Sequence, residues 1–192
     1  MKLILASASP RRKSLMEVLG LDFEIKVSNC EEVINPNNNI QDIVMSLALQ
    51  KANDVAKDYD DCIVIGADTV VCCKNQILGK PKNHNDAIRM LKLLSGNIHS
   101  VYTGFSIINT MVNTIITDYE KTDVTFKELS EEEIINYVNS SNVTDKAGAY
   151  SIQGTASSFV TELNGDYNNV VGLPIYKLSK YLYNTFNIKG AN

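Results

Sequence analysis

The run CIVIGADTVV at Cys62–Val71 limits this chain more than any other stretch, because it is apolar almost throughout and holds a single carboxylate. Cys62, Ile63, Val64 and Ile65 have the β-branched, non-alternating character of a strand covered on both faces, and Thr69, Val70, Val71 and Cys72 resume it. Asp68 falls at the break between these runs. An acid there is costly to bury unless a cation, a metal ion or a set of donors meets it. Two readings stand: a turn aspartate between two strands, or an acid at the end of a core strand facing a cleft. What else the chain can bring to that acid decides between them.

The first candidate partners lie near the start. Lys2 to Ala6 reads as a strand, and Ser9 followed by Pro10 is a helix N-cap and first helical residue, with the helix running to about Leu19 and stopped by Gly20. Arg11, Arg12 and Lys13 then fall in its first turn. Cations are unfavourable at that end, where the helix already carries positive charge and unpaired amides. A strand, a serine-bearing turn and an arginine-rich helix start describe a site for a phosphate-sized anion. The plainer alternative is a solvated basic helix start, where screening makes the cost small.

Further along, Asp22 to Ser28 reads as a second strand, followed by Glu31 and Glu32 and a surface loop at Asn35–Asn39. A helix is expected over about Ile40 to Lys57, with Val44, Leu47, Ala48, Ala52 and Val55 on its inner stripe. Lys51 lies near that stripe. It either snorkels along its own stem or points its ammonium toward Asp68. Lys74 and Asn75 turn the chain into Gln76–Leu78, and GKPK places Lys80 in a rigid turn before a helix of about Asn83 to Leu94. Ser100–Asn109 and Thr114–Phe126 read as an antiparallel pair turning at Thr110–Asn113, and Ser130 with Glu133 as a capping box. DKAGAYSIQG, from Asp145 to Gly154, is rich in small residues that allow close backbone approach to a ligand. Its polar side chains are Lys146, Ser151 and Gln153, and the Gln153 amide is able to donate to and accept from a planar base edge. Ser158–Leu163 is a further strand, and Pro174 opens a last amphipathic helix.

Composition narrows the class of partner. The net charge of −4 gives no overall field for nucleic acid or an acidic membrane, so any polyanion must meet a local cluster. Four cysteines without CxxC spacing, and only two histidines, make no zinc pattern and read as reduced thiols of a cytoplasmic protein. The apolar stretch before Arg11 is too short for a secretory signal, and no run approaches the ~18 apolar residues of a membrane span. Neither a P-loop nor a dinucleotide fingerprint is present. Cations for a polyphosphate, a carboxylate for a metal or water, and an amide for a base fit a nucleotide hydrolase.

The blocks LILASASPRRKSL, IGADTVV, LGKPK, LSGNIHSVYTG, DKAGAYSIQG and NVVGLPI occur in the order and spacing of the Maf family of nucleoside triphosphate pyrophosphatases, which the chain resembles from Leu3 to about Tyr183. The resemblance implies a single α/β domain over residues 1–192. Its fold would be a twisted mixed β-sheet with flanking helices, in two lobes around a central cleft and similar to the inosine triphosphate pyrophosphatases. It implies hydrolysis of the α–β phosphoanhydride of a nucleoside triphosphate, assisted by Mg²⁺ or Mn²⁺.

Position by position, the resemblance makes Asp68 the general base or metal-side carboxylate and Glu32 an acidic residue near the metal. Ser7, Arg11 and Arg12 become phosphate contacts, with Lys51 and Lys80 as the cleft lysines. Arg12, Thr69 and Gln153 stand at the positions that separate the family's branches, and here they match the branch acting on dTTP and UTP. The branch preferring 7-methyl-GTP carries a tryptophan before the arginine, and this chain has no tryptophan. Ser151, where many members have glycine, and the pair Ser157–Ser158 depart from the pattern without touching a matched site. A homodimer stays open as a partner, membranes and nucleic acid are not expected, and the rival reading is a non-enzymatic regulator of septum formation.

Overall fold

The central run forms one uninterrupted strand. In the computed structural model, which describes residues 1–188, strand β3 spans Cys62–Cys73 and passes straight through Asp68. Asp68 is thus neither a turn residue nor a strand end: the apolar residues on both sides keep the backbone extended across it. The elements before β3 are β1 (Lys2–Leu5), α1 (Pro10–Val18), β2 (Glu24–Ile25) and α2 (Ile40–Ala56). After it come β4 (Gln76–Leu78), α3 (His84–Leu94), β5 (Ile98–Asn109), β6 (Thr114–Phe126), α4 (Glu131–Ser140), β7 (Val160–Asn164), α5 (Tyr167–Val171) and α6 (Ile175–Phe186).

The strands make a seven-stranded mixed sheet in the order β2-β1-β3-β5-β6-β7, with β4 paired to β3 off that path. β1 runs parallel to both β2 and β3, pairing Ile4 with Val64 and Leu5 with Ile65. β4 and β7 are antiparallel to their neighbours. The β3–β4 turn is built by Lys74 (φ 49°) and Asn75 (φ 62°), a left-handed pair that suits a tight hairpin. The mixed α/β sheet with flanking helices matches the fold class expected. β2 is only two residues long, because the polar stretch after Ile25 makes no ladder.

By its internal contacts the chain divides into two compact units. The first comprises Met1–Asp68, Thr103–Glu120 and the chain from Gly172 on; the second comprises Thr69–Tyr102 and Lys121–Val171. In the first unit α2 buries Val44, Leu47, Ala48, Ala52 and Val55, the stripe expected from its periodicity, and Ile43 and Ala56 beside them. It lies against the sheet at backbone distance, and two glycines permit this. A Cβ on Gly66 of β3 would fall 2.3 Å from the Ala48 carbonyl oxygen, and one on Gly104 of β5 would fall 2.3 Å from that of Val44. In the second unit α3 and α4 are joined by an ion pair between Lys92 and Glu131 at 2.6 Å. A buried aromatic cluster there includes His99, Phe126, Tyr150 and Phe159.

Helix α2 has no room to move off Gly66 without leaving the sheet. Gly66→Ala is therefore expected to lower stability by at least about 1–3 kcal/mol, the usual cost of overpacking, measured by urea unfolding. Gly79→Ala, where an added Cβ meets nothing within 4 Å, is expected to stay within about 0.5 kcal/mol of the parent.

Candidate active site

Strand alternation sets the direction of Asp68. Cys62 and Val64 pack with Ala52, Val55 and Ala56 of α2, and Gly66 turns its missing side chain to the same helix. Two residues on, Asp68 faces α2 in its turn. The residue it meets is Lys51, one helical turn beyond Leu47. The Lys51 ammonium donates to Asp68 Oδ1 at 2.5 Å and lies 3.0 Å from Glu32 Oε1. With side chains only 17% and 13% exposed, Lys51 and Asp68 form an enclosed pair. Lys51 does not snorkel to solvent. Glu32, at 45% side-chain exposure, joins the pair from the irregular segment before α2.

Helix α1 supplies the next charges. Ser9 caps it by accepting from the Arg12 N–H at 3.4 Å, and Pro10 occupies its first turn. The Arg12 guanidinium does not stand out in front of the helix as the anion-site pattern suggests. It folds back, with Nε donating to the Gly172 carbonyl at 2.8 Å and Nη1 to the Ala67 carbonyl at 2.9 Å. Nη1 also lies 3.4 Å from Ser7 Oγ, and that oxygen accepts from the Ser9 N–H at 3.2 Å. Ser7 is buried, and its hydroxyl links the turn to Arg12. Loss of hydration lowers the pKa of Arg12, Asp68 and Glu32 raise it by attraction, and Arg11 lowers it by repulsion. A guanidinium stays charged through such a shift. Ser7, Arg11, Arg12, Glu32, Lys51 and Asp68 thus belong to one electrostatic neighbourhood of the first unit.

The remaining sequence-predicted residues belong to the second unit. Thr69, half-buried, points by alternation to the face of β3 opposite Asp68. Lys80 and Gln153 are both exposed, and the backbones that carry them are tied together. The Gly79 carbonyl accepts from the Gly148 N–H at 3.0 Å. Gly148, at φ 68°, has its Cα so close to Val71 that an added Cβ would lie 3.0 Å from that side chain. The loop is pinned again at Tyr150, whose hydroxyl is 2.8 Å from His99 Nε2. Burial holds the His99 pKa down at about 4, so the contact is one between neutral groups near pH 7. Lys146 donates to the Asn142 carbonyl and to Asp145 of its own loop.

The carbonyls of Ala67 and Gly172 are the site components that sequence reading missed. Backbone acceptors have no residue signature, although Gly172 lies within the block NVVGLPI. Among the described residues no group of three or more His, Cys, Asp or Glu is placed to hold a metal ion. Glu32 and Asp68 are a two-carboxylate set, which suits a hard divalent cation that takes further oxygens from a substrate's phosphates.

A sheet carrying an enclosed lysine–carboxylate pair beside a locked arginine places this chain in a class of α/β proteins, and the comparisons identify the class. The family model described as Maf-like protein matches residues 2–185. The chain belongs to the Maf family. It is 55% identical over 181 residues, 94% of each chain, to a dTTP/UTP pyrophosphatase of Bacillus cereus strain G9842. It is also 55% identical over 187 residues, 97% of this chain and 96% of the relative, to proteins of the same name from Bacillus thuringiensis subsp. konkukian and Bacillus anthracis. Among solved structures, the Staphylococcus aureus Ham1 protein aligns with 66% of this chain and 72% of its own at 14% identity and a TM-score of 0.48.

The Arg12 fork is tested by Arg12→Lys, which keeps the charge but cannot span two carbonyls. The expected loss is about 1.5–3 kcal/mol, the worth of a hydrogen bond from a charged donor, read by urea unfolding. Unchanged stability would show that the fork holds nothing.

Proposed function

We propose that this protein hydrolyses dTTP and UTP at the α–β phosphoanhydride, releasing the nucleoside monophosphate and pyrophosphate. The observation that carries the proposal is Lys51, whose ammonium lies between Asp68 and Glu32. The naming of the Bacillus relatives, at 55% identity over nearly the whole chain, supports the substrate.

The chemistry follows from charge. A bound triphosphate brings about four negative charges, and more charge moves onto the pyrophosphate as it departs. Arg11, Arg12, Lys51 and Lys80 are assigned to neutralising it. Asp68 Oδ1 accepts from Lys51, and we assign its Oδ2 to the attacking water, which it orients and deprotonates. Its main contribution is position. Glu32 and Asp68 would hold Mg²⁺ or Mn²⁺, which when bound supplies Lewis acidity and charge neutralisation at phosphoryl oxygens. The Ser7 hydroxyl keeps the α1 turn in place for the arginines.

Thr69 and Gln153 are assigned to the base, with the exposed Gln153 amide matching the donor and acceptor pattern of a pyrimidine edge. A wrong base leaves those polar groups unpaired, which is the strongest source of discrimination a small site has. Among the described residues no helix is long and apolar enough to cross a membrane, and the proposed place of action is the cytoplasm. No observation favours a nucleic-acid-binding regulator.

Pyrophosphate release is to be measured from dTTP, UTP, CTP, dGTP and 7-methyl-GTP, each with Mg²⁺ and with Mn²⁺. Selective release from dTTP and UTP is expected. Asp68→Asn should lower kcat at least about 100-fold, the lower range for a lost general base, with an unchanged far-ultraviolet circular dichroism spectrum. Release from purine triphosphates alone would refute the specificity, and a fully active Asp68→Asn would remove Asp68 from the chemistry.

A further inference from the structure

Glu32 stands on a segment that nothing regular supports. Residues 26–39 contain neither helix nor strand, and their apolar side chains do not anchor them: Val33 is 70% exposed and Ile34 53%. A segment of this length without apolar burial is ordinarily mobile. A carboxylate placed on it would have no fixed distance to Asp68. Something other than packing must hold it.

The holding groups lie on one face of α2. Ser46, Gln50 and Asp54 are spaced four residues apart and form a polar stripe that a sequence reading leaves to solvent. Gln50 meets the backbone of Val33 with both ends of its amide, accepting from the Val33 N–H at 2.8 Å and donating to its carbonyl at 2.8 Å. The same Nε2 lies 3.1 Å from Ser46 Oγ, which fixes the amide plane. One turn on, Asp54 Oδ2 accepts from the Asn29 N–H at 2.9 Å and from Ser28 Oγ at 3.0 Å. The Lys57 bond, together with those from Asn29 and Ser28, draws the Asp54 pKa down to about 2, so the carboxylate is ionised throughout the neutral range. Glu32 lies between these two attachments, and Lys51 lies between Gln50 and Asp54 on the helix.

We infer that Gln50 and Asp54 are positioning residues for the divalent-cation site, clamping the segment 28–33 to α2 so that Glu32 is presented to Asp68. Neither touches the reacting groups. Their effect reaches the site through Glu32 alone, and the inference therefore rests on the assignment of Glu32 as a metal carboxylate. Gln suits the task, since its side-chain amide presents a donor and an acceptor side by side and so meets the N–H and the carbonyl of one residue at once. Helix α2 thus carries the site lysine on one side and the support of the site carboxylate on the adjoining one.

The test is Mn²⁺ affinity without turnover, measured by calorimetric titration in the presence of the α,β-methylene analogue of UTP. The proteins compared are the parent, Gln50→Met, Asp54→Ala, Glu32→Gln and the double variant Gln50→Met/Glu32→Gln. Gln50→Met, equal in size but unable to hydrogen-bond to Val33, is expected to weaken Mn²⁺ by about 10-fold, as loss of a supporting hydrogen bond does at metal sites. Its amide hydrogen exchange should quicken at residues 29–33 and not along α2. Asp54→Ala should act in the same direction, and the double variant should bind no more weakly than Glu32→Gln alone. Parent-like Mn²⁺ affinity in both Gln50→Met and Asp54→Ala, beside a weakened Glu32→Gln, overturns the clamp. Parent-like affinity in Glu32→Gln overturns the assignment of Glu32 and the clamp with it.

Discussion

The contact between Lys51 and Asp68 is the constraint on which the rest of the site depends. An ionised carboxylate in the middle of a strand bounded by Ile63, Ile65, Val70 and Val71 is costly unless a cation reaches it. The cation comes from a helix, and a helix reaches that deep only if the sheet beneath it has no side chains in the way. Gly66 and Gly104 provide the gap. The packing rule that admits α2 to backbone distance is therefore the same rule that brings an ammonium to Asp68. The packing and the placement of the charge pair share one cause here.

From that contact the electrostatics spread outward in order. Lys51 also meets Glu32, and Arg12 is drawn by Asp68 and Glu32 while it is anchored to the carbonyls of Ala67 and Gly172. Opposite charges are interleaved, which keeps a cluster of cations and carboxylates tolerable with no ligand bound. On the proposed function, a triphosphate would compete with the carboxylates for the cations. The rigid backbone acceptors under Arg12 and the sheet under Asp68 limit how far any of these groups must move, and preorganisation of that kind is the largest contribution such sites make to rate.

Much of this was legible in the sequence, for physical reasons that differ between elements. Ser9–Pro10 and the Ser130–Glu133 box mark helix starts because side-chain caps act within one turn, and both cap as read; Asn83, read as the start of α3, is its cap. The inner stripe of α2 follows from its periodicity, and Lys51 at the margin of that stripe reaches Asp68. The uninterrupted course of β3 through Asp68 was not legible, since an isolated acid in an apolar run reads as a break until its cation is known. The inward turn of Arg12 was hidden because its partners are carbonyls far along the chain. The polar stripe of Gln50 and Asp54 was hidden for the opposite reason: polar residues on a helix surface ordinarily face water, and only the path of the segment before α2 gives them another task.

The most direct measurement is a double-mutant cycle on Lys51→Met and Asp68→Asn, read in urea unfolding and in single-turnover pyrophosphate release from dTTP. The account predicts that Lys51→Met alone costs about 3 kcal/mol by stranding an enclosed carboxylate. The double variant should recover much of that stability while releasing pyrophosphate no more slowly than the worse single variant. Additive losses in both readouts would contradict it, because they would mean that the lysine and the aspartate act apart.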